Sequence, residues 1–238
     1  MLVLEKVTCG YVEGIDILLN VSLEIKEDII TGMIGPNGAG KSTILKTIFA
    51  LLHPREGRIL FEGREIQDSL PHQLKWMGMS YVTQGFSTFP QLTVEDNLRI
   101  GAWVFRKDKK LLDQRLNEVY EFFPVLRERR RAKANVLSGG LLRMLSLGKE
   151  LITRPKLLLL DEPSEGVAPL IVNEIYLLMQ KIKKQGTTIF LVDQNILKAL
   201  EVSNYMYLLE MGQIKQKGPK EEFEDKIREI IRDSLMSR

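Results

Sequence analysis

Cysteine is almost missing from this chain. Among 238 residues there is one, Cys9, so an internal disulfide and a cysteine-built metal site are both excluded, and the composition suits a reducing compartment. Histidine is nearly as scarce. His53 and His72 are the only two, they share no metal-ligand spacing, and they read as surface or loop residues. Long apolar runs are absent too: none approaches the ~18–20 residues that a helix needs to cross a bilayer. The opening residues Met1 to Lys6 lack a basic stretch followed by an apolar one, so no signal peptide is expected. Charge of one sign is also missing. The net charge of +3 is too small to argue for nucleic acid. With no repeats and no low-complexity linker, these absences describe a cytosolic protein whose membrane role, if it has one, comes through a partner.

What remains is ordinary for a globular chain: 44% hydrophobic and 27% charged residues. The length fits one large domain, or a domain carrying an inserted subdomain.

One motif dominates. Gly35, Pro36, Asn37, Gly38, Ala39, Gly40, Lys41 and Ser42 match the G-x-x-x-x-G-K-[ST] pattern of a phosphate-binding loop. The apolar run Ile29 to Ile34 leads in as a strand, and Lys41 to Leu51 leads out as a helix. That strand–loop–helix context turns a pattern into a structural expectation. Glycines let successive backbone N–H groups point inward at phosphate oxygens, and the helix N-terminus adds positive potential at the same spot. Lys41 is expected to reach the β- and γ-phosphates, Ser42 to ligate Mg²⁺, and Thr43 to donate to an inner phosphate. A nucleoside triphosphate is the ligand this loop implies.

Around the loop, Leu2–Val7, Val21–Ile25 and Arg58–Phe61 alternate like strands, and Gly78–Thr83 reads as another. Helical patterning follows over Val94 to Val104, Leu112 to Phe123 and Gly140 to Thr153. Leu157–Leu160 is a short apolar run typical of a buried parallel strand. A helix over Ile171 to Lys184 and a strand over Thr188–Val192 come next, and Lys220 to Leu235 reads as an amphipathic helix. Strands alternating with helices imply an α/β fold with a parallel sheet. The expected organisation is a single domain, with core residues 1–85 and 154–238 and a helical insertion over 86–153.

The strand Leu157–Leu160 ends on two adjacent carboxylates, Asp161 and Glu162. Ligands gather at the carboxyl ends of parallel strands, so both acids are expected near the phosphate loop. Asp161 can hold Mg²⁺ through water, and Glu162 can polarise an attacking water.

With Leu137-Ser138-Gly139-Gly140 opening a helix upstream of those acids, the chain resembles the ATP-binding cassette (ABC) ATPases along nearly its whole length. The resemblance implies a P-loop, RecA-like parallel-sheet core with an N-terminal antiparallel β subdomain and an inserted helical subdomain. It implies ATP and Mg²⁺ as cofactors. It also implies that Ser138, Gly139 and Gly140 close on the γ-phosphate held by a second cassette, so that two copies sandwich two ATP molecules. By the same resemblance Tyr11 stacks on adenine, and Gln84 senses Mg²⁺ and links the site to the helical insertion. Ser164–Pro169 lies at the dimer contact, and Glu162, Gln194 and Lys41 serve hydrolysis.

The stretches Asp161–Pro169, Leu191–Asn195 and Phe89–Leu98 are similar to ATPases of branched-chain amino acid importers, and much of this wording is shared with amide and urea importers. Implied partners are membrane-spanning permease subunits, a second identical or paralogous cassette and, indirectly, a periplasmic or extracellular solute-binding protein; nucleic acid is not among them. The location implied is cytoplasmic, peripheral on the inner face of the cell membrane. Three alternatives stay open: a transporter for an amide, urea or lipid, a soluble ABC ATPase outside transport, and a regulatory module that no longer hydrolyses.

Four positions depart from the family pattern. Leu141 and Leu142 stand where Gln or Glu, then Gln, are usual, and leucine cannot hydrogen-bond. Gln194 stands where most members carry histidine; an amide donates a hydrogen bond but cannot become cationic near neutral pH. Glu165 replaces a leucine, with no physical account. Arg127 to Arg131 with Lys133 lacks interleaved aromatics and reads as a solvated face. Cys9 reads as a packing residue. Trp103 reads as packed on the inserted helices or turned to a membrane partner.

Overall fold

The computed structural model describes residues 1–223. Most of the expected helix over Lys220 to Leu235 lies outside the described residues; 220–223 are helical. By contacts the chain divides into two units, Met1–Asp68 with Thr188–Arg238, and Ser69–Thr187.

In the first unit, alternation builds an antiparallel sheet. Strand β1 (Leu2–Cys9) buries Leu2, Leu4, Val7 and Cys9. The alternation slips by one residue at Lys6, whose φ is +50° where the register to β2 shifts. This bulge lets Val7 and Cys9 stay inside. β1 pairs with β2 (Leu18–Ile25) on one side and β4 (Glu56–Phe61) on the other, with the short β5 (Arg64–Glu65) at the edge. β4 and β5 are joined by Glu62 and Gly63, with φ of +50° and +76°, the left-handed pair a tight hairpin needs.

The same unit holds a second sheet around β3 (Ile30–Ile34), every residue of which is buried. β3 runs parallel to β8 (Thr188–Val192) and to β9 (Tyr205–Glu210), and β10 (Gln213–Pro219) closes the edge antiparallel to β9. That edge hairpin, turned by Met211 and Gly212, was not expected from the sequence. A strand buried on both faces has no polar alternation, and this explains why β3 and β8 are mostly apolar, with threonine as the one polar residue type in each. Helix α1 (Lys41–Ile48) follows β3 after the glycine-rich loop.

In the second unit, α2 (Pro71–Trp76) precedes β6 (Met79–Val82), which pairs in parallel with β7 (Leu157–Asp161) from Met79↔Leu157 to Val82↔Leu160. Between them come α3 (Val94–Gly101), α4 (Lys109–Phe122), α5 (Pro124–Glu128) and α6 (Gly139–Leu151), and after β7 comes α7 (Pro169–Lys184). Helix α3 stops at Gly101, before the expected end; Trp103–Phe105 form a 3₁₀ turn instead. Helix α4 begins three residues earlier than expected because Asp108 caps it, accepting the N–H of Leu111 at 2.9 Å. α6 packs on α3, α4, α5 and β6. A β-carbon at Gly148 would lie 2.9 Å from Val119 Cγ1 and 3.2 Å from Leu98, so glycine there permits the close crossing. Lys75 of α2 reaches Glu150 of α6 at 2.7 Å, both nearly buried. The fold is α/β, with parallel strands between helices, an N-terminal antiparallel sheet and helices inserted between β6 and β7.

Candidate functional site

The phosphate-loop residues sit between β3 and α1. Gly35 lies against the backbone carbonyl of Leu209 in β9, where a β-carbon would collide. Gly40, the residue before α1, has φ +102°, which an L side chain rarely adopts. Lys41 is buried, and its ammonium donates to the carbonyls of Gly35 at 2.8 Å and Pro36 at 3.0 Å. It therefore folds back over its own loop, its charge held at the helix N-terminus. Thr43, also buried, shares a hydrogen bond of 3.3 Å with the hydroxyl of Tyr11. The Tyr11 ring is 53% exposed, and Lys46 Nζ stands 5.2 Å from its centre. An exposed ring anchored by its hydroxyl at a phosphate loop is placed to stack on a flat ligand.

In the same unit, Gln194 follows the strand that pairs with β3. The parallel pairing Met33↔Val192 aligns the carboxyl ends of β3 and β8, and the Asp193 N–H donates to Met33 O at 3.3 Å. Asp193 is buried and accepts the Asn195 N–H at 2.9 Å, which forms a tight turn that leaves Gln194 exposed. Tyr11, Lys41 and Thr43 thus gather at the phosphate loop, and Gln194 follows the strand whose carboxyl end lies beside that of β3.

A second group forms at the carboxyl ends of β6 and β7. The pairing Val82↔Leu160, carried two residues further, sets Gln84 beside Glu162. Gln84 Nε2 donates to Glu162 Oε2 at 3.3 Å. Glu162 is buried at 6% exposure with φ +46°. Such a backbone costs on the order of 1 kcal/mol and is retained where the surroundings hold it. Asp161, fully buried, accepts the Tyr81 hydroxyl at 2.9 Å. In the same unit, exposed Ser138 precedes α6, and Gly139 and Gly140 begin it. A β-carbon at Gly139 would lie 3.1 Å from Gly166 O, and one at Gly140 3.0 Å from Ile171. The glycines therefore let the start of α6 settle against the 164–171 segment.

Two residues escaped sequence reading. Tyr81 lies in a strand whose four residues are all buried; a tyrosine there needs a partner for its hydroxyl, and that need was the available signal. Arg143 is fully buried in α6. It falls on the same helix stripe as Leu147 and Leu151, and a cation on a core stripe was the sign that it has partners inside. Its Nη1 donates to Thr83 O and its Nη2 to Glu165 O, each at 3.3 Å, and its guanidinium stands 5.4 Å from the Phe86 ring centre.

Residues set aside behave as ordinary structure. Cys9 is buried, 3.4 Å from both Thr47 Oγ1 and His53 O. Trp103 meets Trp76 edge-on, with ring centres 5.9 Å apart. Arg127 and Arg129 to Arg131 are exposed.

The description "ABC transporter" belongs to the family model that matches residues 18–165, a span holding the phosphate loop, Gln84, Ser138–Gly140, Asp161 and Glu162. The chain is 40% identical over 214 residues to the high-affinity branched-chain amino acid transport ATP-binding protein BraG of Pseudomonas aeruginosa, covering 90% of this chain and 91% of that protein. It is 38% identical to the probable branched-chain amino acid transport ATP-binding protein LivF of Archaeoglobus fulgidus, covering 90% and 89%. Among solved structures it is similar to the ADP conformation of MJ1267, an ATP-binding cassette of an ABC transporter. The TM-score is 0.84 at 29% identity, over 93% of this chain and 92% of that one. A match to the family model over more than half its length, with relatives of this identity, establishes that the chain belongs to the ABC transporter family as an ATP-hydrolysing cassette.

Proposed function

We propose that this cassette drives an importer of branched-chain amino acids, using ATP with Mg²⁺ and working through membrane-spanning permease subunits at the cytoplasmic face. The observation that carries the choice of solute is the similarity, across 90% of the chain, to two ATP-binding proteins named for that transport. No helix among the described residues is long and apolar enough to cross a membrane, so other subunits provide the path.

The residue roles follow from chemistry. Backbone N–H groups of Gly38 to Thr43 and the α1 N-terminus hold the phosphates, and Lys41 shifts its ammonium from its own loop carbonyls to the β- and γ-phosphates. Tyr11 stacks on adenine. Ser42, Asp161 and Gln84 offer hard oxygen donors, which fit Mg²⁺. Among the described residues no three His, Cys, Asp or Glu side chains gather into a metal cage; an ion that takes its remaining ligands from phosphate and water needs none. When bound, the ion neutralises charge on the transferring phosphoryl group.

Glu162 accepts hydrogen bonding from the attacking water and draws its proton, while Gln84 holds the Glu162 carboxylate in line. Gln194 donates its amide to the γ-phosphate. Ser138, Gly139 and Gly140 present N–H groups to the γ-phosphate on a second cassette, identical or paralogous, in a two-fold sandwich. Closure then depends on ATP by linkage. Residues 86–153 pass the movement to the permease, and a solute-binding protein acts from the far side.

The test is affinity purification of the tagged chain from detergent-solubilised native membranes, with mass spectrometry of what accompanies it. Expected are two polytopic permease chains, followed by ATP-dependent uptake of labelled leucine in reconstituted vesicles. Permeases without leucine uptake overturn the solute. Recovery only from the soluble fraction overturns the transport role and leaves the ATPase.

A further inference from the structure

Gln84 and Glu162 meet at 3.3 Å, near the outer limit of a hydrogen bond, so their alignment depends on the backbone that carries each. Both carriers are held by one side chain. Arg143 Nη1 donates to the carbonyl of Thr83, the residue before Gln84. Arg143 Nη2 donates to the carbonyl of Glu165, whose own N–H bonds to Glu162 O at 3.1 Å in a turn. The guanidinium is planar, permanently charged and rigid, so its two arms fix a separation rather than merely filling space. It is fully buried, and the Phe86 ring 5.4 Å away covers it from the segment that follows Gln84. Arg143 also rides on α6, four residues after Gly139, and therefore ties these two loops to the helix that presents Ser138, Gly139 and Gly140.

We propose that Arg143 is a positioning residue for ATP hydrolysis: it spaces Gln84 from Glu162 and couples that pair to the Ser138–Gly140 loop. The inference rests on the roles given above to Glu162 and Gln84. A core arginine that served packing alone would influence stability without discriminating between binding and turnover. A spacer of the pair acts on the chemical step, because ATP is gripped chiefly by the phosphate loop and Tyr11.

The test compares steady-state hydrolysis and ATP affinity in the full-length wild-type, Arg143→Leu, Arg143→Lys, Gln84→Ala, Arg143→Leu/Gln84→Ala and Glu162→Gln proteins. Arg143→Leu is expected to lower kcat about 100-fold, the loss a roughly 1 Å misplacement causes, with ATP affinity within about twofold of wild type. Arg143→Lys keeps the charge but loses the fork, so it should show the same split; it also carries the test if the leucine variant does not fold. The double variant should be no more than about twofold slower than the slower single variant, since both changes undo one alignment.

Wild-type kcat in Arg143→Lys, equal losses of kcat and ATP affinity, or multiplicative effects in the double variant would overturn the inference. Normal hydrolysis by Glu162→Gln overturns the site reading and this inference together. An inactive Glu162→Gln beside a fully active Arg143→Leu overturns the inference alone.

Discussion

At the scale of single residues, the carboxylates at the end of β7 are made usable by neighbours distant in sequence. Asp161 is buried, and an ionised carboxylate there requires hydrogen bonds to offset lost hydration. Tyr81 provides one at 2.9 Å. Tyr81→Phe keeps the ring and removes the donor, so it is expected to destabilise the chain by about 1–2 kcal/mol and to slow hydrolysis while ATP still binds. Urea denaturation and phosphate release measure the two effects; a phenylalanine variant as stable and as fast as wild type would show that the hydroxyl is dispensable. Lys41, Ser42, Asp161 and Glu162 were legible because each sits inside a contiguous motif. Tyr81 and Arg143 were not, because nothing next to them in sequence names their partners.

At the scale of elements, charged contacts in the helical unit reach from a helix to segments distant in sequence, which patterning along the chain does not show. Glu118 of α4 accepts from Arg115 at 2.9 Å within its own helix and from Arg154, beyond α6, at 2.8 Å. Burial alone pushes the Glu118 carboxyl up, but hydrogen bonds from Arg115 and Gln114 and the charges of Arg115 and Arg154 outweigh it and hold the pKa below the ordinary 4.5. A depressed folded value means that the contribution is fully present above the ordinary value and is lost as pH falls through the lowered folded one. Glu118→Gln should therefore cost about 1 kcal/mol or less at pH 7, since the group is partly solvated. The difference from wild type should shrink as pH falls below the ordinary 4.5 and through the lowered folded value. Urea midpoints at pH 7 and through the acid range check this; a gap that does not narrow in acid would assign the effect to packing.

Element boundaries followed local chemistry where a cap marked them, as Asp108 does for α4 and Thr93 does for α3 by accepting the Asp96 N–H at 3.0 Å. The short helices and the β10 edge were not legible. Residues 71–76 and 196–202 are too few to establish a helical period, and β10 alternates only weakly between half-exposed and exposed positions.

At the scale of the whole molecule, the proposed sandwich of two cassettes depends on what α6 presents to a partner. Ser138 is exposed, whereas Leu141 and Leu142 are half-buried, at positions where the family resemblance expects hydrogen-bonding side chains. Restoring one by Leu141→Glu is expected to strengthen ATP-driven dimerisation several-fold, on the order of 1 kcal/mol for one added charged hydrogen bond. Light scattering with ATP measures it, and an unchanged dimer affinity would mean that the backbone N–H groups of the loop suffice.

By itself the sequence determined that this chain binds a nucleotide, belongs with the ABC ATPases and carries its acids at a strand end. Those properties reside in short contiguous runs whose backbone geometry is local. Tertiary structure alone decided which side chains those acids meet. Tyr81 and Asp161 are 80 residues apart, and Gln84 and Glu162 are 78 apart. They meet because β6 and β7 pair in parallel with Met79 opposite Leu157. A slip of one residue in that register would turn every side chain of one strand to the other face. The register is set by burying both strands, β6 of them against α6, a packing condition that no local stretch of the chain encodes.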